Sequence, residues 1–487
     1  MKRYCWKLNK IYNNSEFNDL VDELLNTKIT KKNLSKNNRI ILKYFTFCNM
    51  QLMLCENNKL YLKQKNKLLD FYNKINNINE YNISKHFINE QYICFYKKKK
   101  IKFSDSTFSL ILNNKNRNIR RIAYIKYLNS ISSNKDYLLN QLIKQKENAV
   151  ISDNYTKLTK LIAKDLKETK ELFNKYIDIK ANLLKIKKIA FYDIYKSVDN
   201  KKYKFKIKDL YNSLNSILNK KELKEILNNN IIDLYPKKNK SDGYLTISHY
   251  DLEPHILINY NNTFKDMLMV CHELGHYSVY KERKKICTYN EMKYLDDLEI
   301  PSIVNELLYM NYVFNKNKNK NKIIISNILD SLLNNFYRYG IYAIFEDNIY
   351  KNLNHKNEKD YFSNMYIKLL KLYYTNKHIL KKQKYEYLKL KQLYKNNYCL
   401  KYPIAVIISY IIVHKILTEE AYIKKYKKFI YSNIKFTYDN IKEYLDIDIF
   451  SAKTHKFFVE NIGGLIQKFE LLFEEGKNDN RRTYSYR

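Results

Sequence analysis

Apolar residues recur at three- and four-residue spacing along most of the chain, as in DLKETKELFNKYIDIKANLLKIKKIAFYDIY (165–195). That spacing puts apolar side chains on one face of a helix. The punctuation agrees: the turns of sheet-rich folds use Gly and Pro freely, and this chain has six Gly and four Pro in 487 residues. A mainly α fold is predicted. One region breaks the pattern. GYLTISHYDLEPHILINYN (243–261) is rich in β-formers and holds a Gly and a Pro, so it predicts two short strands. NNTFKDMLMVCHELGHYSVY follows at once, with Thr263 and Asp266 spaced as a capping box and Met267, Val270 and Leu274 as an apolar stripe. A helix is predicted from about residue 264. The run KKKKIK (97–102), the segment FNKNKNKNK (314–322) and the tail from 476 read as loops or frayed ends. The most apolar run, IAVIISYIIV (404–413), is too short to cross a bilayer and reads as a buried helix.

Composition narrows the class. An apolar content of 45% excludes wholesale disorder. Lys and Arg number 89 against 50 Asp and Glu, a net charge of +39. That surplus suits nucleic acid or an anionic surface. It is scattered, however, and NKNKNKNKIII (315–325) has the look of a genome biased toward A and T. The charge therefore reads as compositional, with no specific nucleic-acid partner and no membrane insertion. Seven dispersed cysteines without a CxxC fit a reducing interior. The start of the chain lacks an apolar signal core, so a cytoplasmic protein is expected; a monomer is the expected state.

The candidate chemistry lies in HELGH (272–276). Histidines at i and i+4 share a helix face and can reach one ion. Glu273 sits about 100° round the helix, where it can take a proton from water at that ion. Gly275 is costly inside a helix, by about 1 kcal/mol, and tolerable where another backbone or a substrate must come close. A catalytic zinc site needs a third ligand. YLDDLEIPSIVNELL (294–308) offers Glu299, 23 residues after His276, with Glu306 two turns further along the same face. Glu299 can then be the third ligand, with Glu306 hydrogen-bonding a ligand imidazole from behind and Asp296 or Asp297 able to share that role. Cys271 points off the ligand face and reads as core.

HELGH followed by LEIPSIVNELL resembles the thimet oligopeptidase family of zinc metallopeptidases, and most of all its oligoendopeptidase F branch. CWKLNKIYNNSEFNDLVDELL (5–25), DSTFSLILNNKNRNIRRIAYIKYLNSI (105–131), KKIAFYDIY (187–195) and the 243–261 strand pair resemble further parts of that branch. The resemblance implies a two-lobed helical metallopeptidase with a deep central channel and a small β-sheet beside the zinc helix. Residues 1–185 would form the N-terminal lobe, 186–475 the catalytic lobe and 476–487 a polar tail. One Zn2+ per chain would be held by His272, His276 and Glu299, with Glu273 as catalytic base and short oligopeptides as substrates. Gly243, Tyr244, His249 and Tyr250 would hold the substrate backbone. Tyr398 and Tyr402 would donate to the oxyanion, although each also reads as a core residue. The family's histidine in that segment is missing, with Asn396 and Asn397 in its place, and residues 404–405 are apolar where a further tyrosine is expected. A catalytically impaired family member and a basic nucleic-acid-binding helical protein are the alternative readings.

Overall fold

The computed structural model describes residues 5–55, 58–76, 91–104, 107–198, 208–218, 220–228, 230–234, 240, 244–260, 263–287, 299–316, 321–375 and 377–484. Along the chain the principal elements are α1 (Asn14–Asn26), α2 (Leu34–Leu54), α3 (Lys59–Ile75), β1 (Gln91–Tyr96), β2 (Lys99–Ser104), α4 (Arg117–Ser133) and α5 (Asp153–Leu183). There follow β3 (Ile232–Asp233), β4 (Tyr244–His249), β5 (Leu252–Ile258), α6 (Phe264–Arg283), α7 (Ile300–Lys316), α8 (Tyr339–Lys351), α9 (Lys401–Thr418) and α10 (Ala452–Tyr484). Helices dominate, as the spacing of apolar residues predicts.

The chain forms two compact units that interleave along the sequence. The first draws on residues 1–82, 202–309 and 419–435, the second on 83–201, 310–418 and 436–487. Compactness thus divides the chain differently from the linear boundaries read at 185 and 475.

In the first unit, Phe17, Phe47 and Tyr61 pack from α1, α2 and α3 into one aromatic core. The predicted strand pair is β4 and β5, antiparallel, with Tyr244 opposite Ile258 and Ile247 opposite His255. A strand too short to read from sequence, β3, adds in parallel to the other side of β5. Among the described residues β4 is therefore an edge strand. Trp6 ties the start of the chain to this sheet. Its indole N–H is shared by the carbonyls of Ile231 and Ile256 at 2.9 and 3.0 Å, and its backbone N–H donates to Asp233 at 3.2 Å. The fully buried Lys240 ammonium pairs with the same carboxylate at 2.7 Å, so the burial of each charge is compensated.

The second unit is built around α5, whose Ile162, Leu166, Phe173 and Tyr176 are wholly buried. Leu166 and Ile162 press on Gly340 of α8. The run 404–413 is, as expected, a core segment: Ile404, Ile407, Ile408 and Ile412 of α9 are buried. Two expectations are corrected. KKKKIK is not a loop: Lys97 and Lys98 make a hairpin turn with φ of 46° and 64°, and Lys99–Ser104 is a strand paired with β1. The run of lysines hid a period of two, in which Phe103 faces inward and Lys100 and Lys102 face solvent. The tail likewise continues as helix, to Tyr484.

Candidate metal centre

Helix α6 starts where the capping box puts it. Thr263 N–H donates to Asp266 at 3.0 Å and Asp266 N–H to the Thr263 hydroxyl at 3.1 Å. That fixes the phase of the helix, and with it which side chains face inward. Met267, Val270, Cys271 and Leu274 are buried as its core face. His272 and His276 stand one turn apart, their ring centroids 5.0 Å apart.

Gly275 lies between them, against the first turn of α7. A methyl group built on it would fall 2.6 Å from Ser302 Cα and 2.8 Å from the Pro301 carbonyl carbon. Only a hydrogen fits there. This contact lets the backbone of α7 lie directly on α6. Glu299 immediately precedes α7, and its carbonyl accepts the Ile303 N–H at 2.9 Å, so it caps the helix. Its carboxylate reaches His272 Nε2 at 3.3 Å and His276 Nε2 at 3.9 Å. One ligand atom from each of the three residues lies within 4.8 Å of the others. Two ligands of a tetrahedral zinc ion stand about 3.4 Å apart. The trio is therefore close to ligand spacing, and two imidazoles with a carboxylate are a donor set that zinc favours. The side chains of His272 and Glu299 keep 20% and 18% of their exposure.

Glu306 accepts from His272 Nδ1 at 2.6 Å. A nitrogen facing a carboxylate carries the proton, so Nδ1 keeps its proton on Glu306, and with a cation in place the Nε2 lone pair would be turned to the ion between Glu299 and His276. Without an ion, burial opposes charge on His272, but its hydrogen bonds to Glu299 and Glu306 outweigh burial and hold its pKa well above the usual imidazole value. Burial and the neighbouring His272 push His276 down to about 4. Glu299 is opposed by burial and still held below the usual carboxylate range by the His272 contact. A divalent cation would take the place of the proton on His272. Glu273, one residue after His272, is buried at 4% exposure.

The other expected residues fall as follows. Gly243, Asp296 and Asp297 lie outside the described residues. Tyr244 opens β4. His249 accepts the Asp251 N–H at 3.2 Å within its own turn, and burial lowers its pKa to about 4. The Tyr250 ring lies under the Arg39 guanidinium, 4.6 Å away. Tyr398 and Tyr402 belong to the second unit. Tyr402 packs on Tyr339 at 4.2 Å, and its hydroxyl accepts from Gln392 at 3.5 Å. The Tyr398 ring is flanked by the ammonium groups of Lys395 and Lys401 at 4.5 and 4.7 Å. Sequence reasoning passed over Asn305, whose side-chain amide donates to the Cys271 carbonyl at 3.2 Å. Its signal was present: an amide set among Ile300, Ile303, Val304, Leu307 and Leu308 has to be bonded if it is buried.

A model of peptidase family M3 matches residues 110–432. The chain belongs to that family. Its M3 relatives include an oligoendopeptidase F homolog of Borreliella burgdorferi, 25% identical over 307 residues, which covers 56% of this chain and 51% of that protein. Oligopeptidase PepF of Bacillus subtilis is 25% identical over 274 residues, covering 52% of this chain and 39% of that protein. The M3 chain thus spans about half or less of the length of these relatives. Among solved structures, a Chlamydophila abortus protein described as a peptidase superposes with a TM-score of 0.72 at 19% identity, over 96% of this chain and 98% of the other. Oligoendopeptidase F of Enterococcus faecium superposes at 0.64 and 14% identity, over 96% and 100%. These likenesses bear on the fold, and agree with a helical M3 peptidase of the oligoendopeptidase F branch.

Proposed function

We propose that this M3 chain is a zinc-dependent endopeptidase that hydrolyses short, unstructured oligopeptides in the cytoplasm, as a monomer. The observation that carries the reading is the convergence of His272, His276 and Glu299 within 4.8 Å of one another, in a chain of a peptidase family. When bound there, a zinc ion supplies a Lewis acid for the scissile carbonyl and acidifies a coordinated water. The protein's own residues supply the rest. Glu306 keeps the Nδ1 proton of His272 in place, so that Nε2 remains a lone-pair donor. Glu273 takes a proton from the attacking water and passes it to the departing amine. Its buried position keeps bulk water from competing for that proton. The edge of β4 offers backbone groups to an extended peptide, which gives affinity with little dependence on sequence. Tyr402 and Tyr398 are the proposed donors to the oxyanion. Free thiols at all seven cysteines suit a reducing compartment.

A second reading has a specific observation behind it. Asn396 and Asn397 stand where the resemblance leads one to expect a histidine, and losing one oxyanion donor costs about 100- to 1,000-fold in turnover. On that reading the chain binds cation and peptide and turns over slowly. A quenched-fluorescent peptide tests both. Zinc-loaded protein is expected to cleave it, chelation to stop cleavage, restored zinc to recover it, and Glu273→Gln to lower the rate at least about 100-fold. Equal rates for wild type and Glu273→Gln would remove hydrolysis from the account.

A further inference from the structure

Three contacts between α7 and α6 lie beside the candidate centre. Ser302 lies under Gly275, Asn305 bonds the Cys271 carbonyl, and Glu306 bonds the His272 ring. The three contacts constrain different things. The Gly275 contact sets how near the helices come, but van der Waals and apolar contacts are non-directional and allow one helix to slide along the other. The Glu306 bond orients the His272 ring, but it ends on an imidazole that turns about two torsions, so the ring can follow if α7 slides. The Asn305 bond is different. It is directional and ends on backbone, on a carbonyl one residue before His272.

From this we infer that Asn305 is a positioning residue, whose amide clamps α7 to the backbone of α6 and so sets where Glu299 and Glu306 stand relative to His272. The inference rests on the cation-binding reading of His272, His276 and Glu299 and extends it to a residue that touches neither ion nor substrate. Magnitudes support it. Asn305 is 2% exposed, so its amide has exchanged water for this bond. The rise per helical residue is about 1.5 Å, whereas ligand distances at a metal tolerate only about 0.2 Å. A slide of α7 by a fraction of one residue therefore takes the Glu299 carboxylate out of ligand reach. Glu299 caps α7 through its own carbonyl, so any such slide carries it along. Near the site, Ser302 does not share this duty: it is fully buried and its hydroxyl has no partner among the described residues.

The test is Asn305→Leu in the full chain, with Asn305→Gln beside it. Leu keeps the volume and removes the donor; Gln keeps a donor on a longer arm. Zinc affinity is measured by competition with a chromophoric chelator, and the visible spectrum of the cobalt-loaded protein reports ligand geometry. Asn305→Leu is expected to bind zinc about 10- to 100-fold more weakly, the range for residues that support a metal ligand from behind. Its cobalt bands should be altered and its circular dichroism that of wild type, with Asn305→Gln weakened less. Should Asn305→Leu fail to fold, Asn305→Gln carries the comparison against wild type. Wild-type affinity and cobalt spectrum in a folded variant would overturn the inference. A metal-free readout separates this from failure of the cation reading. The His272 Nδ1 proton, held by Glu306, should give a far-downfield proton resonance that Asn305→Leu shifts or broadens. If wild type took up no cation, the cation reading would fall. An unchanged resonance in the variant would then overturn the clamp as well, and an altered one would support it.

Discussion

Gly275 decides more than any other single residue near the candidate centre. It looks like a weak point in a helix, and by intrinsic propensity Gly275→Ala should stabilise α6 by about 1 kcal/mol. The nearest atoms to the added methyl are backbone atoms of Pro301 and Ser302 at 2.6 to 2.8 Å, which cannot swing aside as a side chain would. Overpacking of this kind costs about 1–3 kcal/mol. Gly275→Ala is therefore expected to lower the melting temperature of the metal-free protein and to weaken zinc uptake together; a melt at or above wild type would contradict the close approach. Ser302 makes the opposite case. Its buried hydroxyl lacks a partner among the described residues, and an unpaired buried polar group is a cost. Ser302→Ala should leave thermal stability unchanged or raise it, with zinc affinity retained. At this scale the sequence was legible where a residue type carries its own chemistry. Glycine inside HELGH announced that something had to come close, while the identity of the neighbour needed coordinates.

Elements were legible where caps and periodicity agreed. Thr263 and Asp266 gave the start of α6, and the β-rich stretch gave β4 and β5. They were illegible where composition masked pattern, as in β2, and where pairing is long-range, as in β3. The contact between α5 and α10 was equally hidden, and it holds a testable charge. His455 is buried with Nδ1 facing the Asp165 carboxylate and Nε2 facing the Ile449 carbonyl at 2.7 Å. Acceptors on both sides require a proton on both nitrogens, so the ring is cationic. Burial alone would lower its pKa, but Asp165 and the Ile449 carbonyl outweigh burial and raise it. A folded-state pKa above the unfolded value means that the folded protein holds the proton more tightly. The stabilisation is then complete below about pH 6.5, the ordinary histidine value, and is lost as pH rises through the folded value. Urea titrations at several pH values should show the wild-type midpoint falling as pH rises above about 6.5, and a shallower fall in His455→Gln. Parallel pH profiles would mean that His455 is not charged in the folded chain.

For the whole molecule, the sequence disclosed the helical class and, through HELGH and LEIPSIVNELL, the family. It did not disclose how the chain returns on itself. Residues 419–435 rejoin the first unit after more than a hundred residues in the second. There the carbonyls of Ile430 and Phe429 accept from the buried guanidinium of Arg283, at the end of α6, at 3.0 and 3.3 Å. Burial lowers the pKa of that guanidinium to about 10. No local pattern marks such a partner, because backbone carbonyls are the same at every position. The central claim proposed for the molecule is narrower than its fold: two histidines of one helix and the residue that caps another hold one cation. The most direct test is metal content after dialysis against limiting zinc, for wild type and His276→Ala side by side. The account predicts one zinc per wild-type chain and under about a tenth of that in the variant, since two remaining ligands do not make a site. A wild-type chain without zinc, or equal zinc in both, would contradict it.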